Sequence, residues 1–554
     1  MSDGQREVHP AWFDGSEPSS QTATLGALIR QATVTHASKV LVALEDGSEW
    51  TGQGAFNASL RLAAGLQALG VKRGEHLVCW LPNGPDHVLT LFAAALLGAV
   101  NVPVNLGYRG SLLAHVLRLT QARVAVVHPD LLPRLGDVPR EHLRHVVVAA
   151  THAPPLEGSV VHLLKDLAVL WGSMPPPAVD CRVWETAAVV FTSGTTGPSK
   201  GVLCPAGQLY TTGKVVYGFM TQQDRMLVNL PLFRVGALTA VYGALTQGAS
   251  LAFSPGFRAA TFWQEIARTG ATIVPGLIGS MVDLLLREPE RPEDARTPLR
   301  AAVIVGAIGP TVRQFASRFG VQCYTGFNMT EISTPLISEF DPQIDGSCGR
   351  VRNGMECRVV DEHDQEVPHG ITGELIVRAE RPWTLNVGYL ADASATLAAW
   401  RNGWFHTGDV FRRDRDDNFY FVDRLKDAIR RRGENISSVE VEREALQFPG
   451  LDDAAVVGVR AGRDDEEILL AVQPLDEGPG IDPRQLHDFL LPRLPHFMVP
   501  RFIRVMAALP RTPTNKVRKV ELREMGVTAD TWDRQEAGIV VRAEKLGAPG
   551  SALA

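Results

Sequence analysis

The chain has 554 residues, 45% hydrophobic and 21% charged, with 51 Gly, 36 Pro and a formal net charge of −6. At roughly 100–200 residues per domain, this length predicts about three to five folding units, some of them merged into larger domains. The ordinary composition excludes wholesale disorder and collagen-like or coiled-coil architecture, and the mild acidity gives no reason to expect a nucleic-acid partner.

The start, MSDGQREVHPAWFDG, has no basic segment followed by an apolar one, so no secretory signal is expected and a cytoplasmic location is. Six scattered cysteines (Cys79, Cys181, Cys204, Cys323, Cys348, Cys357) without a CxxC pair fit a reducing compartment and no structural zinc. From about Thr24 to Val179, amphipathic helices such as residues 54–71 alternate with short β-rich runs: HLVCWLP, ARVAVVHP and RHVVVAA. That alternation predicts a parallel, doubly wound sheet. The most apolar stretch, Val88–Val100, is too short to span a bilayer and reads as a buried helix. After Glu185 the pattern resumes with AAVVFTS, RMLVNLPLF, SLAFSP, ATIVPG, AAVIVGA and VQCYTGF. Around 347–423 the runs shorten and turns multiply, predicting a small antiparallel β unit. Beyond Asp423 a helix (SSVEVEREALQF), two strands (AAVVGVR, ILLAVQP), a helix (PRQLHDFLLPRL) and a strand (RFIRVMAAL) predict a compact α+β domain. The last stretch, 527–554, reads as a loosely attached tail.

The segment richest in chemistry is VVFTSGTTGPSKGV, Val189–Val202. A β-run enters a loop in which glycine-exposed backbone N–H groups, hydroxyls and one ammonium suit a polyphosphate. The spacing is not that of a Walker A loop, because Gly197 lies three positions before Lys200 and Lys200 is followed by Gly201.

On TSGTTGPSKGV, and on further motifs that follow in order, the chain resembles the adenylate-forming (AMP-binding) superfamily of acyl-CoA synthetases, peptide adenylation domains and beetle luciferases. The likeness spans about residues 25–525. It implies an α/β fold with a large N-terminal domain (1–424) of doubly wound sheets plus a small β unit, a mobile α+β C-terminal domain (425–526) and a tail (527–554). It also implies ATP, Mg²⁺ and CoA as cosubstrates and cofactor, and adenylation of a small carboxylic acid followed by acyl transfer.

The residues carry over motif by motif. Thr192, Ser193, Gly194, Thr195, Thr196, Gly197 and Lys200 form the implied phosphate loop. In TGFNMTEIS, Thr325, Gly326 and Phe327 fall at the adenine site, where the family usually has Tyr-Gly in place of Phe327-Asn328; a phenyl ring can still stack on a base. Thr330 would bond the α-phosphate, and Glu331 would ligate Mg²⁺, a hard cation that prefers oxygen. A solvated surface carboxylate is the alternative for Glu331. Gly306 and Ala307 of VGAIGP would line the adenine pocket. Asp409 of GWFHTGDV and Arg424 of YFVDRLKD would hold the ribose hydroxyls, with Lys426 as the hinge between domains.

In IRRRGENISSVEVE, Gly433 and its neighbour Arg432 would approach CoA, and the run Arg430–Arg432 is either a solvated basic face or a phosphate contact. Lys516 of PRTPTNKVRK falls on the catalytic lysine, with Asn515 replacing the usual glycine. In NLPLFRVGA, Phe233 and Arg234 would wall the acyl pocket; histidine is usual where Arg234 stands, and the arginine would meet either a protein carboxylate or a polar group on the acid. The last two motifs look most similar to the carnitine/medium-chain type of acid–CoA ligase. A free-standing ligase that delivers the acyl group to a carrier-protein thiol or an amine is the alternative, since no fused carrier domain is expected. Oligomeric state and the identity of the acid are not implied.

Overall fold

The computed structural model describes residues 19, 21–170, 181–192, 199–305, 309–424, 428–431, 434–460, 466–475, 480–511 and 517–542. Among these, the first sheet runs in spatial order Val160–Leu163, His145–Val148, Val124–Val127, His76–Trp80, Val100–Pro103, Thr186–Thr192 and Lys200–Pro205. Its neighbours are parallel except the last pair, in which Lys200–Pro205 returns antiparallel beside Thr186–Thr192. The doubly wound expectation therefore holds with one amendment: the sheet is mixed. The inner strands VAVV and HVVV are buried on both faces, which is why they read as unbroken apolar runs.

A second sheet takes the order Arg350–Val351, Leu336–Ile337, Gln322–Phe327, Ala301–Val305, Ile273–Ile278, Arg225–Val228, Ser250–Phe253, Val40–Ala43 and Glu49–Thr51. Helices Leu25–Thr35, Pro85–Leu97, Ala206–Val216 and Val235–Thr246 contribute to the apolar cluster that joins the two large sheets. Pro85–Leu97 is the apolar segment expected to be buried; it begins on a proline and stops at Gly98 in the left-handed conformation (φ 68°). Two of these helices approach unusually closely. A Cβ on Gly213 would lie 2.6 Å from the Gly243 nitrogen, and one on Gly243 would lie 2.3 Å from Tyr217 Cδ2. Either glycine replaced by alanine would overpack the interface, at a cost of about 1–3 kcal/mol.

The antiparallel unit expected near 347–423 is present: Met355–Val360, Thr372–Ala379, Trp404–Arg413 and Trp400–Arg401 form a sheet that Phe419–Arg424 extends. The C-terminal α+β unit carries the hairpin Ala428–Arg431/Glu434–Ser437 and helices Ser438–Ala445, Pro483–Leu490 and Lys519–Met525. Its sheet runs Leu451–Arg460, Glu466–Pro474, Phe502–Val505 and Trp532–Asp533. The last strand corrects the expectation of a tail that is loose from 527 on. Trp532 and Asp533 pair with Ile503 and Phe502, and Asp533 meets the Arg501 guanidinium at 2.9 Å. This unit packs on the first sheet's side of the molecule, where Gly107 lies against Pro495 and Phe497.

Candidate active site

Open α/β sheets bind ligands beyond the carboxyl ends of their parallel strands. The strand Thr186–Thr192 delivers the phosphate-loop motif at that end, and the chain comes straight back at Lys200, whose register partner is Thr192. The two strands that flank the motif are thus the arms of a β-hairpin. Ser193, Gly194, Thr195, Thr196 and Gly197 lie outside the described residues, whereas Thr192 and Lys200 stand at its two feet. Lys200 Nζ sits 4.7 Å from the centroid of the Tyr389 ring, within cation–π range.

Tyr389 leads directly to the TGFNMTEIS motif, because its hydroxyl donates to Glu331 Oε1 at 3.1 Å. Glu331 is only 6% exposed, so the surface-carboxylate alternative is set aside. A carboxylate taken out of water needs a donor, which the Tyr389 hydroxyl supplies, and further bonds pin the main chain around it. Asn386 donates its backbone N–H (3.1 Å) and its Nδ2 (2.8 Å) to the Glu331 carbonyl. Gln208 Nε2 donates to the Thr330 carbonyl at 2.9 Å, and Asn328 Oδ1 accepts from the Thr334 amide at 3.0 Å. Burial and the nearby Glu331 push the Tyr389 phenol far above its ordinary range, and the same two causes raise the buried Cys204 thiol. Tyr389 is therefore a neutral donor at any working pH.

Phe327, half-buried at the end of strand Gln322–Phe327, meets Phe411 edge-on (4.8 Å between centroids, 71° between planes). Phe411 shares strand Trp404–Arg413 with Asp409, which is 3% exposed and has Arg424 as its cross-strand partner. The structure thus brings the implied adenine and ribose residues to neighbouring places. Gly326 is required by close approach, since a Cβ there would lie 2.8 Å from the Leu336 carbonyl oxygen. Thr325 is fully buried and its hydroxyl donates to the Ile304 carbonyl at 2.9 Å, so its side chain ties two strands together and does not face a ligand. Gly306 and Ala307 lie outside the described residues.

Arg234 occupies the N-cap position of helix Val235–Thr246 without a side-chain capping bond, its guanidinium carbon 5.9 Å from the Phe233 ring centroid. Burial depresses its pKa, opposed by the Tyr108 phenol nearby. Tyr108 in turn lies 3.4 Å, oxygen to oxygen, from Ser199 Oγ, which places the implied acyl-pocket wall beside the exit of the phosphate hairpin.

The arginine run before Gly433 is corrected in part. Arg431 is 3% exposed, forms an ion pair with Glu467 at 2.7 Å and donates to the Phe497 carbonyl at 2.9 Å. Alternation along the hairpin turns this residue into its own unit, so it belongs neither to a solvated basic face nor to a CoA contact. Arg432, Gly433, Lys426 and Lys516 lie outside the described residues. Sequence reasoning did not single out Tyr389, Asn386 or Gln208. None carries a local signal, and each reaches Thr330 or Glu331 from far along the chain.

This architecture, with Lys200 at the foot of the paired strands set against Tyr389 and Tyr389 bonded to the buried Glu331, is that of a nucleotide-dependent ligase. The chain belongs to the AMP-binding enzyme family, whose pattern matches residues 28–390, with the AMP-binding enzyme C-terminal domain at 440–516. It is accordingly an AMP-forming ligase. Among its relatives, the crotonobetaine/carnitine–CoA ligase of Proteus mirabilis (strain HI4320) is 30% identical over 483 residues, covering 84% of this chain and 92% of the relative. The protein of the same name from Escherichia coli (strain K12 / DH10B) is 29% identical over 481 residues, with the same coverage. The fold is shared with the amide bond synthetase McbA of Marinactinospora thermotolerans (TM-score 0.76, 23% identity, 91% of this chain and 99% of that one). It is shared equally with a double mutant of the o-succinylbenzoate CoA synthetase of Bacillus subtilis (TM-score 0.75, 22% identity, 90% and 98%).

Proposed function

We propose that the protein is an ATP- and Mg²⁺-dependent acid–CoA ligase of the cytoplasm. A carboxylate oxygen of the acid attacks the α-phosphorus of ATP and pyrophosphate leaves; the CoA sulfur then attacks the acyl carbon and AMP leaves. Splitting the reaction makes AMP the leaving group in place of hydroxide, which would hardly leave. The observation that carries this reading is the buried Glu331, held by Tyr389 beside Lys200 at the foot of the phosphate hairpin.

In this reading Thr192, Lys200 and residues 193–197 cradle the phosphates, and the Thr330 hydroxyl bonds the α-phosphate. Phe327 stacks on adenine beside the backbone of Gly306, Ala307 and Gly326, and Asp409 with Arg424 holds the ribose. Lys516 bridges the incoming carboxylate and the α-phosphate, where negative charge concentrates. Glu331 offers the oxygen a hard cation prefers, and no cluster of three or more His, Cys, Asp or Glu is gathered among the described residues. That suits Mg²⁺ held by one carboxylate and by phosphate oxygens, where it would neutralise charge. Lys516 and the Gly433 loop with Arg432 must act in turn over one acyl-phosphate, and Lys426 is the hinge that lets the C-terminal unit turn between them. Among the described residues no helix is long and apolar enough to cross a membrane.

The acid belongs to a polar or anionic class if Arg234 faces it. A quaternary-ammonium acid such as carnitine would set a second cation beside that guanidinium. The experiment is CoA-dependent AMP release across aliphatic, aromatic, dicarboxylic and quaternary-ammonium acids. AMP release that ignores CoA but answers to a carrier-protein thiol or an amine would replace this reading with the free-standing alternative.

A further inference from the structure

The end of the phosphate hairpin is gripped by the C-terminal unit. Ser199 donates both its backbone N–H (2.8 Å) and its hydroxyl (2.5 Å) to a single oxygen, Glu440 Oε1. Ser199 is 3% exposed and Glu440 2%, although 241 positions separate them. Glu440 lies in the first turn of helix Ser438–Ala445, where the helix dipole favours a carboxylate. Arg443 and Glu444, three and four residues on, lie on the same face. Both reach Ser111 on helix Gly110–Thr120: Glu444 accepts from its hydroxyl, and Arg443 Nη2 lies 3.4 Å from the same oxygen. His115, one turn beyond Ser111, contacts the Ser199 carbonyl at 2.8 Å.

The opposite side of helix Ser438–Ala445 is fastened within its own unit. Lys519 Nζ meets Glu442 Oε1 at 2.6 Å and donates to Ser438 Oγ at 2.7 Å, while Glu442 accepts from the Val456 amide. In the run VEVE one glutamate thus anchors the helix internally and the other projects across the gap between units. Burial raises the Glu440 pKa, opposed by the two Ser199 donors. The carboxylate in this position is stabilised by those two donors together with the nearby Arg443 guanidinium.

We propose that Glu440 and Ser199 form an interdomain clasp: Glu440 is a positioning residue that fastens the C-terminal unit to the exit of the phosphate hairpin for the acyl-transfer half-reaction. This rests on the two-step ligase reading above. The argument is electrostatic as well as geometric. The clasp sets an anion at the foot of a loop that holds the ATP phosphates during adenylation, so it suits the stage after pyrophosphate has left. Lys516, by contrast, serves the earlier stage.

The test uses the full chain with Glu440→Ala and Glu440→Gln. Acid-dependent ATP–pyrophosphate exchange reads adenylation, and single-turnover thioester formation from supplied acyl-adenylate and CoA reads transfer. Glu440→Ala should slow transfer about tenfold, as expected for loss of hydrogen bonds to a charged group, while exchange stays within about twofold. Glu440→Gln, which keeps an acceptor oxygen but loses the charge, should recover part of the transfer rate. Equal loss in both half-reactions, or no loss in transfer, would overturn the proposal. Hydrogen exchange gives a readout independent of catalysis: Glu440→Ala should speed exchange of the Ser199 amide and of helix Gly110–Thr120, leaving the sheet interiors protected. Unchanged protection there overturns the clasp. A wild-type protein that adenylates no acid defeats the ligase reading instead, and the exchange result still decides the clasp.

Discussion

Tyr389→Phe isolates one hydrogen bond at the centre of the site. The ring stays, so the contact with Lys200 Nζ at 4.7 Å survives, and only the donor to Glu331 Oε1 at 3.1 Å is lost. A hydrogen bond to a charged group is worth about 1.5–3 kcal/mol, and a buried carboxylate deprived of one is left with that deficit. The two Asn386 bonds to the Glu331 carbonyl remain, so the main chain keeps its place and the loss should sit at the low end, about tenfold. Because burial and Glu331 keep the phenol protonated throughout the working range, the variant should show no new pH break. The assay is acid-dependent ATP–pyrophosphate exchange titrated with Mg²⁺. The expected result is a lower rate and a shift of half-saturation to higher Mg²⁺, with Glu331→Gln more severe on both counts. Normal exchange with an unshifted Mg²⁺ curve in Tyr389→Phe would refute the idea that this bond poises Glu331 for the metal–nucleotide.

Lys516→Ala should cost adenylation about 10²-fold or more while largely sparing thioester formation from supplied acyl-adenylate; equal loss in both would mark Lys516 as structural. For Arg234→Ala and Arg234→His, kcat/KM across matched charged, hydroxylated and plain acids should fall selectively for the acid that pairs with Arg234, by about 2–5 kcal/mol, and a uniform drop would assign the residue to a protein-internal contact. Asp224 supplies a pH-dependent stability test. Burial works against its charge, but the Arg300 fork (2.7 and 2.8 Å), the Thr221 amide and the Thr272 hydroxyl outweigh it and hold the carboxyl at about 2. A folded pKa below the unfolded one makes the contribution complete above about pH 4 and lost as pH falls toward 2. With Arg300 40% exposed, the contribution discounts to on the order of 1 kcal/mol. Melting temperatures of Asp224→Asn and wild type should accordingly differ near pH 6 and converge near pH 2; a constant gap would count against this linkage.

Much of the architecture was written locally. Buried strands such as VAVV and HVVV, the Pro85 start and Gly98 stop of an apolar helix, and the change of texture after Asp423 are features of a few consecutive residues, and each folded as its pattern implied. The phosphate-loop expectation is equally local, a strand followed by glycines and hydroxyls, and residues 193–198 lie outside the described ones. What the pattern left open was direction. An apolar run like KGVLCP by itself satisfies a parallel or an antiparallel neighbour equally well; it pairs antiparallel with Thr186–Thr192 because the short stretch between them cannot make the crossover that a parallel neighbour needs.

The partners of the charged groups were beyond reach of any window along the chain. Arg430–Arg432 has one texture, yet the hairpin sends Arg431 inward to Glu467, because successive side chains on a strand point to opposite faces. Trp532 and Asp533 sit in a stretch that reads as tail, and are held because a strand edge and the Arg501 guanidinium were waiting for them. Glu331 meets Tyr389 across 58 positions and Glu440 meets Ser199 across 241. Local backbone preference sets which elements form, and it acts over a few residues. Whether a carboxylate ends up solvated or buried against a particular donor depends on how whole sheets and helices pack, which is a property of the assembled chain.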